Sequence, residues 1–204
     1  MNVKRLFPLL VLGPVSSYCS HPDRSAVFDA SGLLYEHVGG FKSQATLEPI
    51  DTNTAFEAAS ISKPVFAYVV FSLARDGVLD LDASLQTLVP EVPEVAYDPR
   101  FGTLTPPVLL THRGGLPNWR SRINFAARSY SELFAPGDTL RFVVDPGTEY
   151  RYSGEGYVLL QRIVEERTGK GLDELARDRV FEPLGMEEQL PVRRGDPGQL
   201  LPGP

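Results

Sequence analysis

The sequence predicts an α+β fold, and three observations carry that prediction. Two short β-rich runs joined by a turn-forming tetrapeptide stand near the start. A helix with a continuous apolar stripe follows, and mostly helices and proline-rich connections come after it. Ala26–Phe28 and Leu33–Val38 flank Asp29-Ala30-Ser31-Gly32, which reads as a hairpin ended by Gly39-Gly40. Val65, Phe66, Val69, Val70 and Leu73 recur at helical spacing, so a buried helix is expected from about 62 to 75, stopping before Asp76-Gly77. Residues 80–88 suggest a short helix ended by Pro90. Thr105-Pro106-Pro107 reads as an N-cap followed by proline at the first helical position of another short buried helix. The stretches 90–107 and 118–147 are irregular. The best late helix is 154–168, with Tyr157, Leu160, Ile163 and Val164 on one face, and a further helix is expected over 172–181.

A chain of 204 residues that is 42% hydrophobic and 23% charged is long and apolar enough to bury a core. Its net charge of -6, with no basic stripe, excludes nucleic acid as the expected partner. The single cysteine, Cys19, excludes an intramolecular disulfide. One thiol and three histidines, His21 and His37 among them with no partner in sequence, give no metal-site spacing, so no metal or cofactor is expected. At the N-terminus, Lys4 and Arg5 precede an apolar run from Leu6 to Val15 and then Ser16-Ser17-Tyr18-Cys19. Residues 1–19 read as a secretory signal, with Val15 and Ser17 as its small cleavage-site residues, which implies an exported (periplasmic or secreted) protein. The run is too short to span a bilayer as a helix. A lipoprotein anchor at Cys19 would place the bulky Tyr18 where a small residue is expected. An ordinary first helix or strand would be interrupted by Pro8 and Pro14.

The chemistry is concentrated in Ala58-Ala59-Ser60-Ile61-Ser62-Lys63-Pro64. Three positions are nearly one helical turn, so Ser60 and Lys63 project from the same face. A serine hydroxyl becomes a useful nucleophile when a neighbouring base removes its proton, and a lysine amine can do so. Backbone N–H groups at a helix start also suit the negative charge that develops in acyl transfer. The plainer alternative is a polar N-cap with a solvated lysine in the first turn.

Phe56-Glu57-Ala58-Ala59-Ser60-Ile61-Ser62-Lys63-Pro64 resembles the nucleophile segment of the serine beta-lactamase and penicillin-binding-protein superfamily. It is most similar to the class C beta-lactamase-like branch, which includes D-alanyl-D-alanine carboxypeptidases, D-aminopeptidases and esterases. Three later blocks follow in the order that family shows. They are Leu109-Leu110-Thr111-His112-Arg113-Gly114-Gly115-Leu116-Pro117, then Pro146-Gly147 with Tyr150-Arg151-Tyr152-Ser153-Gly154-Glu155-Gly156-Tyr157, and Phe181-Glu182-Pro183-Leu184-Gly185-Met186. The resemblance implies a beta-lactamase/transpeptidase-like fold in which a sheet domain is split by a helical domain, with the site in the cleft between them. It implies Ser60 as nucleophile, Lys63 as base or orienter, and Tyr152 as a carrier of protons to and from the serine. Gly154 stands where most relatives have an asparagine; with Asn118 and Trp119 it forms the expected substrate-contacting set, although Asn118, Trp119 and Arg120 could equally pack against the cleft wall. His112 reads as a brace rather than a base, Glu155 as a helix-start acid favoured by the dipole, and Arg113 and Gly114 as unexplained departures from the block.

The expected division is a signal at 1–19, the start of the sheet domain with the nucleophile helix at 20–75, a helical domain at 76–190 and a disordered tail at 191–204. The family's "KTG" or "HxG" strand, which supplies a second oxyanion donor, has no counterpart after Met186, so the C-terminal sheet strands are expected to be missing and activity to be impaired. The function this implies is a serine hydrolase acting through an acyl-enzyme on a beta-lactam, a D-amino-acid peptide or an ester, that is, on a small-molecule or peptide substrate. The alternative is a non-catalytic family member that binds cell-wall peptide or a partner. A classical α/β-hydrolase is excluded because no Gly-x-Ser-x-Gly elbow occurs.

Overall fold

The computed structural model describes residues 22–43, 45–54, 56, 58–89, 98–120 and 139–186. The expected signal, the Pro90 helix stop and the tail lie outside them. The chain forms two compact units that divide between Glu57 and Ala58.

The first unit is an antiparallel hairpin of β1 (Asp23–Asp29) and β2 (Gly32–Gly39). Asp29 Oδ1 accepts the Ser31 N–H at 2.7 Å and so closes the turn on itself, the local bond that makes aspartate a turn residue. The register runs from Asp23 opposite Gly39 to Asp29 opposite Gly32, with an irregularity between Val27 and Phe28. A short bridge between Phe41 and Pro49 follows. Val27, Phe28, Leu33, Leu34 and Tyr35 are all exposed.

The second unit is helical. A 3-10 turn at Ala59–Ile61 leads into α1 (Ser62–Arg75), whose Phe66, Val69, Val70 and Leu73 are buried. The same core takes Leu159, Leu160, Ile163 and Val164 from α4 (Gly154–Thr168). Around this pair lie α2 (Leu85–Leu88), α3 (Pro106–Leu110), α5 (Leu172–Ala176) and a π turn at Arg177–Phe181. The α1 stripe is buried in this core, so α1 belongs to the helical unit.

Two local expectations are corrected. The helix expected over 80–88 contracts to Leu85–Leu88, because Asp80 Oδ1 takes the Asp82 N–H in a turn and Ser84 caps the helix by accepting from Thr87 N. Thr105 does occupy the N-cap of α3, but its side chain makes no capping bond. Within 90–107, the described part includes a 3-10 helix at Pro99–Thr103 started by Asp98. Of the proposed departures, Gly114 has a packing reason: a Cβ there would come within 2.6 Å of Leu109 Cδ2. Arg113 reaches the carbonyl of Gly147 at 3.4 Å.

Candidate active site

The start of α1 and the segment before α4 meet at one point. Tyr152 Oη donates to Ser60 Oγ at 2.8 Å, and Lys63 Nζ donates to the same oxygen at 3.3 Å. Ser60 and Lys63 come together through helical spacing alone. Tyr152 comes from 92 residues away and depends on how α1 and α4 pack. The Lys63 ammonium lies 5.1 Å from the Tyr152 ring centre and 5.4 Å from that of Tyr157, a cation between two aromatic faces. That ammonium, and next the Ser60 hydroxyl, hold the Tyr152 phenol below its ordinary value. Ala59, immediately before the serine, has φ of 42°, a left-handed conformation unusual for alanine and of the kind stored at functional sites.

The N-terminus of α4 is capped completely by neighbouring residues. Ser153 Oγ accepts from Gly156 N at 2.9 Å, Asn118 Oδ1 from Gly154 N at 2.9 Å, and the Asn118 carbonyl from Glu155 N at 3.0 Å. Asn118 therefore commits both its oxygens to the helix. Gly154 packs beneath the indole of Trp119: an added Cβ would lie 2.7 Å from Cζ3 and nearer still to Cζ2 and Cη2. The tryptophan ring fills the space that a side chain at 154 would need, which is a physical reason for glycine in place of the family's asparagine. Trp119 as a whole is 37% exposed.

Glu155 differs from the expected helix-start acid. Its carboxylate is fully buried and forms a two-pronged pair with Arg120, with Nη2 to Oε2 at 2.8 Å and Nε to Oε1 at 3.0 Å. It also accepts the Arg120 backbone N–H at 2.8 Å. A solvated acid at a helix start needs no partner, whereas a buried one does, so the ion pair is the consequence of burial. It anchors the 118–120 segment, and the Trp119 ring with it, on the first turn of α4. The run Asn118-Trp119-Arg120 was the only sequence signal for this arrangement.

Among the described residues no group of histidine, cysteine, aspartate and glutamate is arranged to hold a metal, and no helix is long and apolar enough to cross a membrane.

A serine hydroxyl shared between an amine and a phenol, at the head of a buried helix, is the equipment of a serine hydrolase. The profile of the Beta-lactamase family matches residues 25–189, and the chain belongs to that family. It is 29% identical to penicillin-binding protein 4* of Bacillus subtilis, over 82% of this chain and 38% of the relative. It is 30% identical to esterase EstB of Burkholderia gladioli, over 76% of this chain and 43% of the relative. Among solved structures it superposes on the D-amino acid amidase of Ochrobactrum anthropi complexed with L-phenylalanine. That match has a TM-score of 0.65 and 25% identity, over 79% of this chain and 44% of the other. The chain thus spans about two fifths of the length of the relatives it matches. These neighbours carry the beta-lactamase/transpeptidase-like α+β fold, and they are named as a penicillin-binding protein, an esterase and a D-amino acid amidase.

Proposed function

We propose that this chain carries the nucleophilic centre of a serine hydrolase that cleaves an amide or ester through an acyl-enzyme on Ser60. The shared hydrogen bonding of Ser60 Oγ by Tyr152 and Lys63 is the observation that carries the reading. In the proposed reaction the Ser60 proton passes to the basic member of the Lys63–Tyr152 pair as Oγ attacks the substrate carbonyl. The Ser60 amide faces the developing oxyanion. The proton then goes to the departing amine or alcohol through Tyr152, leaving Ser60 acylated, and water attacks the ester by the reverse transfers. The Lys63 ammonium and the Ser60 hydroxyl lower the Tyr152 phenol, the direction that a proton carrier in this role requires. Of the expected set Trp119, Gly154 and Asn118 at the start of α4, the partly exposed Trp119 is the proposed substrate contact, and buried Gly154 and the helix-bonded Asn118 support it. The substrate class is a beta-lactam, a D-amino-acid peptide or amide, or an ester, in line with relatives named as a penicillin-binding protein, a D-amino acid amidase and an esterase. Export through residues 1–19 belongs to the same proposal.

Intact-mass spectrometry after exposure to a fluorophosphonate and, separately, to penicillin tests the reading. The expected result is a single adduct that Ser60→Ala abolishes. A folded wild-type chain that takes no adduct would instead support a non-catalytic family member that binds a peptide or partner.

A further inference from the structure

His112 ties down both neighbours of Tyr152. Its carbonyl accepts the Arg151 N–H at 2.7 Å, and its ring Nδ1 accepts the Ser153 N–H at 3.1 Å. The imidazole also packs on the Tyr152 ring itself, with centroids 4.4 Å apart and planes at 34°. On its other sides stand the rings of Tyr157 at 5.1 Å and Tyr150 at 5.7 Å. The backbone at His112 has φ of 57°, so the chain accepts a strained conformation to aim this carbonyl and this ring at one short segment. A ring nitrogen that accepts an N–H carries no proton, so the neutral imidazole has its hydrogen on Nε2.

We propose that His112 is a positioning residue: in its neutral form it holds the Tyr152 phenol on Ser60, and its protonation releases that phenol. The proposal rests on the acyl-transfer reading above for its effect on rate, but not for its effect on structure. A proton on Nδ1 would set a donor against the Ser153 N–H and break the clamp. It would also add positive charge near the Lys63 ammonium. The groups that bear on the imidazole are Lys63 of α1, Tyr157 of α4, and Tyr150 and Tyr152 of the intervening segment, none of them a carboxylate. Burial first, and then the charge of Lys63, push the imidazole below its ordinary value. The sign follows from that direction. The unfolded chain takes up its proton first, so the stability that neutral His112 contributes is full above about pH 6.5 and is lost as pH falls through the folded value.

The test combines NMR of the full chain, labelled with 15N in histidine and 13C at tyrosine ζ, with the rate of fluorophosphonate labelling against pH. His112 is expected as the Nε2–H tautomer, and the Tyr152 ζ-carbon is expected to shift with the same midpoint as the His112 ring. In His112→Asn that inflection should vanish while the clamp persists, because asparagine tolerates positive φ and its Oδ1 can replace Nδ1 as acceptor. The labelling rate of the wild type should fall roughly tenfold faster per pH unit below the His112 midpoint than above it, and the variant should lose this break. His112→Ala should label about tenfold more slowly than the wild type above the midpoint, with the difference closing below it, and His112→Asn should restore the rate above the midpoint. A protonated Nδ1 in the neutral ring, no inflection at Tyr152, or a break retained by His112→Asn would each overturn the proposal. A wild type that never labels would refute the acyl-transfer reading, and the NMR titration would still decide this one.

Discussion

Gly154→Ala places a methyl group where the Trp119 indole already lies. Three ring atoms fall within 2.7 Å of the new carbon, far inside van der Waals contact. The backbone carrying the ring is held on both sides, because Asn118 is bonded to Gly154 N and Glu155 N and Arg120 is paired with buried Glu155, so the indole can yield only by turning about its own side-chain torsions. Overpacking of this kind costs about 1–3 kcal/mol. Alanine's helix preference over glycine opposes it by at most about 1 kcal/mol, and less in the first turn of a helix. The steric term wins, and a net loss of about 1–2 kcal/mol is expected. Urea unfolding of the wild type, Gly154→Ala, Trp119→Ala and the double variant closes a cycle. Removing the indole should relieve the clash, so the double variant should be more stable than additivity predicts by at least about 0.5 kcal/mol. Additive effects, or a Gly154→Ala chain as stable as the wild type, would refute the claim that the indole occupies the side-chain space of residue 154.

Two further outcomes are expected. Tyr152→Phe removes the hydroxyl that meets Ser60 Oγ at 2.8 Å but keeps the ring packed on His112, so the fold should persist while fluorophosphonate labelling slows by about 10²–10⁴. Labelling at the wild-type rate would remove the phenol from the proton path. Leu160→Ala opens a cavity at the contact of α4 with the common core, where Leu160 is fully buried, and should cost about 2–5 kcal/mol in urea unfolding.

Sequence alone determined what depends on near neighbours. Ser60 and Lys63 share a face because helical geometry brings residues three apart together. The α1 stripe from Phe66 to Leu73 marks its own helix, and the spacing of Tyr157, Leu160, Ile163 and Val164 marks α4. Where local bonding competes with periodicity, the reading erred: at residues 80–84 side-chain turns displaced the helix that spacing suggested. Motif order supplied Tyr152 as a candidate, but only the packing of α1 with α4 brings its hydroxyl to Ser60. Packing likewise decided that Trp119 takes the room of a side chain at 154 and that Glu155 is a buried partner of Arg120. It also decided that His112 grips the residues on either side of Tyr152. Each of these contacts joins residues more than thirty positions apart, and their geometry is set by how the helices pack, which no local window of sequence contains.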